Sequence, residues 1–325
     1  ASIYRSHAAT PLTRVAVWLV VGAIVVSTLD GLVHVLTGKN LLREWLGASV
    51  DDYGGIRRAT GLLRNPIPFG HSMGAFFWIS AAGLLAALTQ RRWNWAWVSA
   101  ALCLVSLFSV LLSQTRGAWL AIALVSVLSV PVLKGGVKRF WMSCLGVACL
   151  IGLVALLVSP ELRSRLKSGF DPSEQSNQVR LELWQANLEI LKDHPFGIGY
   201  NANDQLIGET FKELGFEDHP WMGHSHNEFI EIAVGSGWLG IGLYMALTLW
   251  ILGNSVIRFR HIQFSTHPWM AFLLLSSILI QLFVNACAMT DQLSNPGRFL
   301  LCFAWAIAIV VPVERRSAST KDSSE

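Results

Sequence analysis

The stretch Trp95–Leu133, WAWVSAALCLVSLFSVLLSQTRGAWLAIALVSVLSVPVL, decides the fold class. Two apolar runs, Trp95–Leu112 and Gly117–Leu133, flank the polar turn Ser113-Gln114-Thr115-Arg116-Gly117. A helix needs about 20 mostly apolar residues to cross a bilayer. Both runs approach that length, and both are continuously apolar rather than alternating, so helices are expected and barrel strands are not. Working outward, six more runs follow the same rule: Leu12–Leu29, Phe69–Thr89, Phe140–Ser159, Phe229–Leu252, Trp269–Ala288 and Phe299–Val313. Composition agrees. Of 325 residues, 53% are hydrophobic and only 14% charged, against roughly 25% charged in a soluble domain, and mean hydropathy is +0.47. These values exclude a disordered chain and argue against a water-soluble one. Cys103, Cys144, Cys149, Cys287 and Cys302 all lie in apolar runs, where they read as small hydrophobes rather than a disulfide framework.

The expected fold is all-α: a polytopic transmembrane helical bundle with about eight spans and one long, partly helical outer loop. Its expected parts are N-terminal membrane helices over 1–158 with an outer loop at 38–68, the long loop over 159–228, C-terminal membrane helices over 229–316, and a disordered polar tail over 317–325. The chain opens on Ala1 without a signal peptide, and it reads as the C-terminal part of a longer protein. Basic clusters at Arg5/Arg14, Arg91-Arg92, Lys134/Lys138/Arg139, Arg258/Arg260 and Arg315-Arg316 fall on alternate connections. The positive-inside rule puts them, and both termini, on the cytoplasmic side. The turn at 113–117, the loop at 38–68, the long loop and the segment Thr290–Arg298 are then outside. Trp93, Trp95, Trp141 and Trp269 stand at run ends as interfacial anchors.

Within the long loop, Leu181, Trp184, Leu188 and Leu191 recur at helical spacing over Arg180–Lys192 and make one apolar face. Ser176 or Asn177 is the expected cap, and His194-Pro195 the expected end.

The residues able to do chemistry gather on the outer side. Arg116 stands between two apolar runs, so it is either a snorkelling arginine or an anion ligand, for which its charged fork suits phosphate. Arg180 is either a surface charge paired with Glu182 or Glu174, or an anion contact at the start of the loop helix. Arg57, Arg58 and Arg64 put basic density on the outer side against the usual bias, as tolerated exceptions or as further anion contacts. His224 and His226 close the long loop just before a span. A histidine is the commonest base near neutral pH, and the i, i+2 pair lacks zinc-motif spacing. Glu231 reads as a hydrogen-bonded interfacial carboxylate, with orientation of a histidine as the alternative. Asp30 and His34 read as interfacial, and Asp291 and Arg298 as a pair across the last outer loop. There is no Walker loop, Gly-x-Ser-x-Gly or dinucleotide fingerprint. The modest net charge of +4 gives no reason to propose nucleic acid. An anion site with a base beside it, on the side away from nucleotides, suits a lipid-anchored phosphate substrate such as an undecaprenyl-diphosphate-linked sugar.

Three segments carry a resemblance. Ser113-Gln114-Thr115-Arg116-Gly117-Ala118-Trp119-Leu120 is one. Arg180-Leu181-Glu182-Leu183-Trp184 with His194-Pro195-Phe196-Gly197-Ile198-Gly199 is the second. His226-Asn227, nine residues, then Gly237-Trp238-Leu239-Gly240 is the third. In this order, around one long outer loop, they resemble the O-antigen ligase and O-antigen polymerase family of bacterial envelope glycosyltransferases. The resemblance covers roughly Arg57 to Gly240, and family members usually have more N-terminal spans. It implies a C-type glycosyltransferase fold in the bacterial inner membrane with its site facing the periplasm. It implies transfer of a glycan from undecaprenyl diphosphate to a sugar hydroxyl of lipid A core, or to another glycan or a protein, without nucleotide sugar, cofactor or metal. Carried over residue by residue, Arg116 and Arg180 hold the diphosphate and His226 is the base. Arg57, Arg58, Arg64, His224 and Asn227 are the further substrate contacts expected beside them. A solute transporter is the rival from another class, disfavoured because the spans are nearly free of charge at mid-depth.

Overall fold

The computed structural model describes residues 11–47, 57–169, 171, 174–199, 202–216, 225–262, 264, 267–293 and 295–310. Among them the chain forms helices and no strand. α1 (Pro11–Thr37) and the short α2 (Leu41–Trp45) precede α3 (Pro66–Thr89), α4 (Trp93–Ser113), α5 (Arg116–Leu128) and α6 (Gly135–Val158). The more polar α7 (Pro160–Gly169), α8 (Gln175–Asp193) and α9 (Asn203–Glu213) come next, then α10 (Glu228–His261), α11 (Pro268–Ala288) and α12 (Asn295–Val310).

Five of these, α3, α4, α6, α10 and α11, are long and apolar enough to cross a membrane. Three shorter apolar stretches, Val21–Thr37, Arg116–Leu128 and Gly297–Ile309, join them, so each expected run is an apolar helix but not each is a full span. The 13 residues of α5 rise only about 20 Å, short of the roughly 30 Å hydrocarbon core. The protein is a multi-pass helical membrane protein.

Local chemistry sets the helix ends that matter. Asn65 caps α3, its Oδ1 accepting the Ile67 N–H at 2.8 Å, with Pro66 at the first helical position. α4 stops at Gln114, whose φ of 52° is left-handed, and the chain reverses at once into α5. α11 is the centre of the bundle, with 67% of its apolar window buried, and α6 is the periphery, with 6%. The core contains Phe69, Trp78, Leu274, Leu275, Ile278 and Phe283. Gly74 lets α3 sit directly on the Phe283 ring, and Gly70 lets it sit on the hydroxyls of Ser113 and Thr115. α6 joins the bundle through Trp141, whose ring lies 5.9 Å from that of Trp78 and whose Nε1 donates to the Ser126 carbonyl at 3.1 Å. At the end remote from the 113–117 turn, Lys134 donates to the Arg260 carbonyl and Arg260 to that of Pro131, so two of the basic clusters meet there.

The segment between α6 and α10 has a core of its own. Val179, Leu183, Ala186, Ile190 and Leu191 of α8 pack with Ile207 and Phe211 of α9 and with Ala233 and Val234 of α10. The expected apolar face of α8 is thus corrected in part: Leu191 is buried as expected. Leu181 and Leu188 are exposed, and the register 179, 183, 186, 190 is the one that is buried. The cap is also corrected. Glu174, not Ser176 or Asn177, accepts the Asn177 N–H, and α8 begins five residues before Arg180. The expected end at His194 is where α8 stops.

α10 is one element in two pieces. Its helix breaks at Gly237, with φ 71° and extended ψ. The piece before the break packs on the α8–α9 unit, and the apolar piece after it enters the bundle. Residues 195–199 dock into the break. Ile198 and Gly199 donate to the carbonyls of Val234 and Gly235, each at 3.0 Å, and Trp238 donates to that of Pro195 at 3.0 Å. The expected single span from Phe229 is therefore interrupted, because a second backbone needs the main-chain groups that the break frees.

Candidate active site

His226 sits between α9 and α10 with φ 50°, a left-handed conformation uncommon for a residue with a Cβ. Its neighbours hold it there. The Trp184 indole of α8 donates to the Ser225 carbonyl at 2.9 Å, the Ser225 N–H donates to Glu231 at 3.0 Å, and the Ser225 hydroxyl donates to the Asn227 carbonyl at 2.7 Å. Asn227 caps α10, accepting from the N–H groups of Phe229 and Ile230, and its amide donates to the Met289 carbonyl at 3.3 Å. Both polar ends of Asn227 are thus engaged inside the protein. Glu231 is a hydrogen-bonded carboxylate holding backbone, not a partner of a histidine ring.

The imidazole instead meets an acid from the α11–α12 loop. His226 Nδ1 lies 3.2 Å from Asp291 Oδ1, and the two side chains are 18% and 9% exposed. Burial works against the charge on Asp291. The hydrogen bond to His226 and the charges of His226, His71 and Arg180 outweigh it and hold the carboxyl below its usual range. With Asp291 ionised, the shared proton belongs on Nδ1, which makes Nε2 the basic nitrogen of the ring.

The expected pairing of Asp291 with Arg298 is corrected. Arg298 Nε and Nη2 bind Glu228 at 3.0 and 3.2 Å, and Glu228 also accepts the Leu293 N–H at 2.9 Å. This buried carboxylate ties the start of α10 to the α11–α12 loop, which carries Asp291. The turn at 113–117 reaches the same loop, since Gly117 is pressed against the Thr290 side chain.

A cavity of about 230 Å³ opens beside these groups, lined by Gly169, Asp171, Asn177, Arg180, Leu181, Trp184, Met289 and Thr290. Arg180 is its cation. Among the described residues it has no hydrogen-bond or ion-pair partner, so neither Glu182 nor Glu174 holds it. It lies in the second turn of α8, where the helix terminus adds little. The face of α8 bearing Leu181 and Trp184 fronts this cavity. Arg116 is at the first position of α5, with Nη1 3.3 Å from the Ser168 hydroxyl and Nη2 4.0 Å from Glu174. It reaches the cavity wall at Gly169 rather than the cavity itself.

The other nominated arginines diverge. Arg58 donates from Nε to the Ser113 carbonyl at 2.9 Å and so braces the turn that presents Arg116. Arg57 is exposed and donates to the Leu36 carbonyl at 3.1 Å, at the end of α1. Arg64 is exposed. None of the three lines the cavity. His224 lies outside the described residues. Among the described residues no group of three or more His, Cys, Asp or Glu side chains is arranged to hold a metal ion. Sequence reading missed His71, Trp184 as an anchor, and Asp291 as the partner of His226. The available signal for His71 was an ionisable residue inside an apolar run.

No curated protein matches the chain. Residues 101–245 match the family model described as O-antigen ligase. That segment runs from α4 through the break in α10 and contains Arg116, Arg180 and His226, so over it the chain is similar to the O-antigen ligase family.

Proposed function

We propose that the protein is a glycosyltransferase that moves a glycan from undecaprenyl diphosphate to a sugar hydroxyl of lipid A core at the periplasmic face of the bacterial inner membrane. The observation that carries this is the His226–Asp291 pair at 3.2 Å beside a cavity whose cation, Arg180, has no hydrogen-bond or ion-pair partner among the described residues. The acceptor O–H attacks the anomeric carbon, and the bond from that carbon to the phosphate oxygen breaks. The diphosphate leaves with the electron pair, and Nε2 of His226 takes the hydroxyl proton. Asp291 stabilises the imidazolium that forms, as an orienting acid does in other bases of this kind. Arg180, with Arg116 behind the cavity wall, offsets the charge that develops on the leaving diphosphate. Attack in line with that leaving group inverts the anomeric configuration.

The test is transfer of a labelled undecaprenyl-diphosphate glycan by the purified chain in proteoliposomes containing lipid A core. Label on lipid A core, with an inverted anomeric signal, supports the reading. Lengthening of the donor glycan alone replaces ligase by polymerase. Solute flux without any glycan transfer overturns the enzyme assignment.

A further inference from the structure

His71 is a buried histidine that the mechanism above does not use. It is 3% exposed in the second turn of α3. Both ring nitrogens are buried, and among the described residues neither has a hydrogen-bond partner. An imidazole always carries at least one N–H, and leaving a buried donor unpaired costs free energy that an apolar ring of similar size would not cost. The position of the ring suggests why a histidine stands there. Its neighbour Gly70 is against Ser113 and Thr115, and Gly74, one turn on, is against Phe283. This part of α3 therefore fills the wedge between the α4–α5 turn and the last turns of α11. Asp291 follows that helix end and interacts electrostatically with His71, His226 and Arg180. The buried thiol of Cys287, one turn before Asp291, is a further titratable group on that side. Oδ1 of Asp291 is occupied by His226 and by the Gln292 N–H. Among the described residues Oδ2 has no hydrogen bond.

Resting on the function proposed above, we infer that His71 is a positioning residue: it grips Asp291 from the bundle interior through one bridging water, while His226 meets the same carboxylate at Oδ1. A carboxylate held at both oxygens keeps the His226 ring aimed as it becomes an imidazolium. One held at a single oxygen can swing away, and small misplacements of reacting groups cost rate steeply.

The test sets stability against turnover. His71→Phe and His71→Gln are compared with wild type for thermal unfolding in detergent and for glycan transfer. A histidine without a function is better replaced by Phe, so an unchanged or raised Tm is expected in either case. The positioning role adds a fall in kcat of roughly ten- to hundredfold, little change in donor KM, and partial recovery in His71→Gln, whose amide can still donate to the carboxylate. A His71→Phe protein with wild-type kcat overturns the inference. If His71→Phe does not fold, His71→Asn, too short to reach, takes its place under the same criteria. If wild type transfers nothing, the proposed function has failed, and the pair is read without substrate. The pH profile of His226 carbethoxylation, followed by peptide mapping, must then shift in folded His71→Phe, and an unchanged profile overturns the inference.

Discussion

The backbones of Gly197 and Gly237 touch. A Cβ built on Gly197 would lie 2.5 Å from the Gly237 nitrogen, and one built on Gly237 would lie 2.6 Å from the Cα of Phe196. Both residues also have left-handed φ, 86° and 71°. The segment His194–Gly199 and the break in α10 are therefore two halves of one joint, which seats the α8–α9 unit over the membrane helices. The nine residues between Asn227 and Gly237 are the piece of α10 between the His226 loop and that joint. Their number sets where His226 stands relative to the bundle.

Alanine at either glycine must open the joint. Left-handed backbone alone costs about 1–2 kcal/mol for a residue with a Cβ, and here the Cβ also meets main chain that cannot rotate away. Gly197→Ala and Gly237→Ala are each expected to lower Tm and expose the 160–227 segment to limited proteolysis, with transfer lost. Alanine at Gly136, where an added Cβ meets nothing within 4 Å, is the control. Wild-type protease resistance in Gly237→Ala would show that the joint does not hold the unit in place.

His226→Ala is expected to lower kcat by about 10²–10⁴-fold, the usual worth of a general base. Asp291→Asn should cost roughly hundredfold, because it removes the charge that orients the ring and leaves the volume unchanged. Asp291 also makes a pH prediction whose sign is fixed. Its carboxyl is held below its ordinary range in the folded protein. Its contribution to stability is therefore complete above the unfolded value of about 3.9 and is lost as pH falls through the lower folded value. The Tm gap between wild type and Asp291→Asn should be constant near neutrality and close in acid. A gap that widens in acid refutes the assignment.

The apolar runs were legible because lipid thickness imposes one length on every span, and the turn at 113–117 because an arginine between two such runs stands out. The face of α8 was not legible. The set 181, 184, 188, 191 and the set 179, 183, 186, 190 are both spaced for a helix, and periodicity does not say that Leu191 joins the second set in the core while Leu181 and Trp184 front a cavity. The partner of His226 was hidden for another reason. Asp291 is 65 residues away, and only the packing of α11 brings it in. Local charge matching joined Asp291 to Arg298, while the fold gives Arg298 to Glu228 and frees Asp291 for the histidine.

The two arginines should fail in different ways. Arg180 faces the cavity without a hydrogen-bond or ion-pair partner among the described residues, so Arg180→Ala should raise donor KM and lower kcat while leaving the free energy of unfolding within about 0.5 kcal/mol of wild type. Arg116 also ties α5 to Ser168 and Glu174. Arg116→Ala should therefore lose transfer and loosen the α7–α8 connection, seen as faster hydrogen exchange over residues 160–177. Lysine at 180 should restore little, since a point charge does not reproduce the bidentate fork. Full rescue by Arg180→Lys would argue that the site reads charge alone.

Glu228 and Arg298 hold the frame in which Asp291 stands. The Glu228 side chain is 6% exposed, and it binds both the guanidinium and the Leu293 N–H. Removing one partner of such a pair strands a buried charge and costs about 3–5 kcal/mol, whereas replacing both by apolar groups of similar volume is often neutral. Glu228→Gln and Arg298→Met should each destabilise strongly. The double variant Glu228→Met with Arg298→Met should regain much of the lost Tm. It should not regain transfer, because no group then anchors the Leu293 N–H and the loop carrying Asp291 is free to shift. A double-mutant cycle read on both Tm and kcat separates these effects. Recovery of kcat in step with Tm would mean that the pair serves stability only and that Asp291 keeps its place without it.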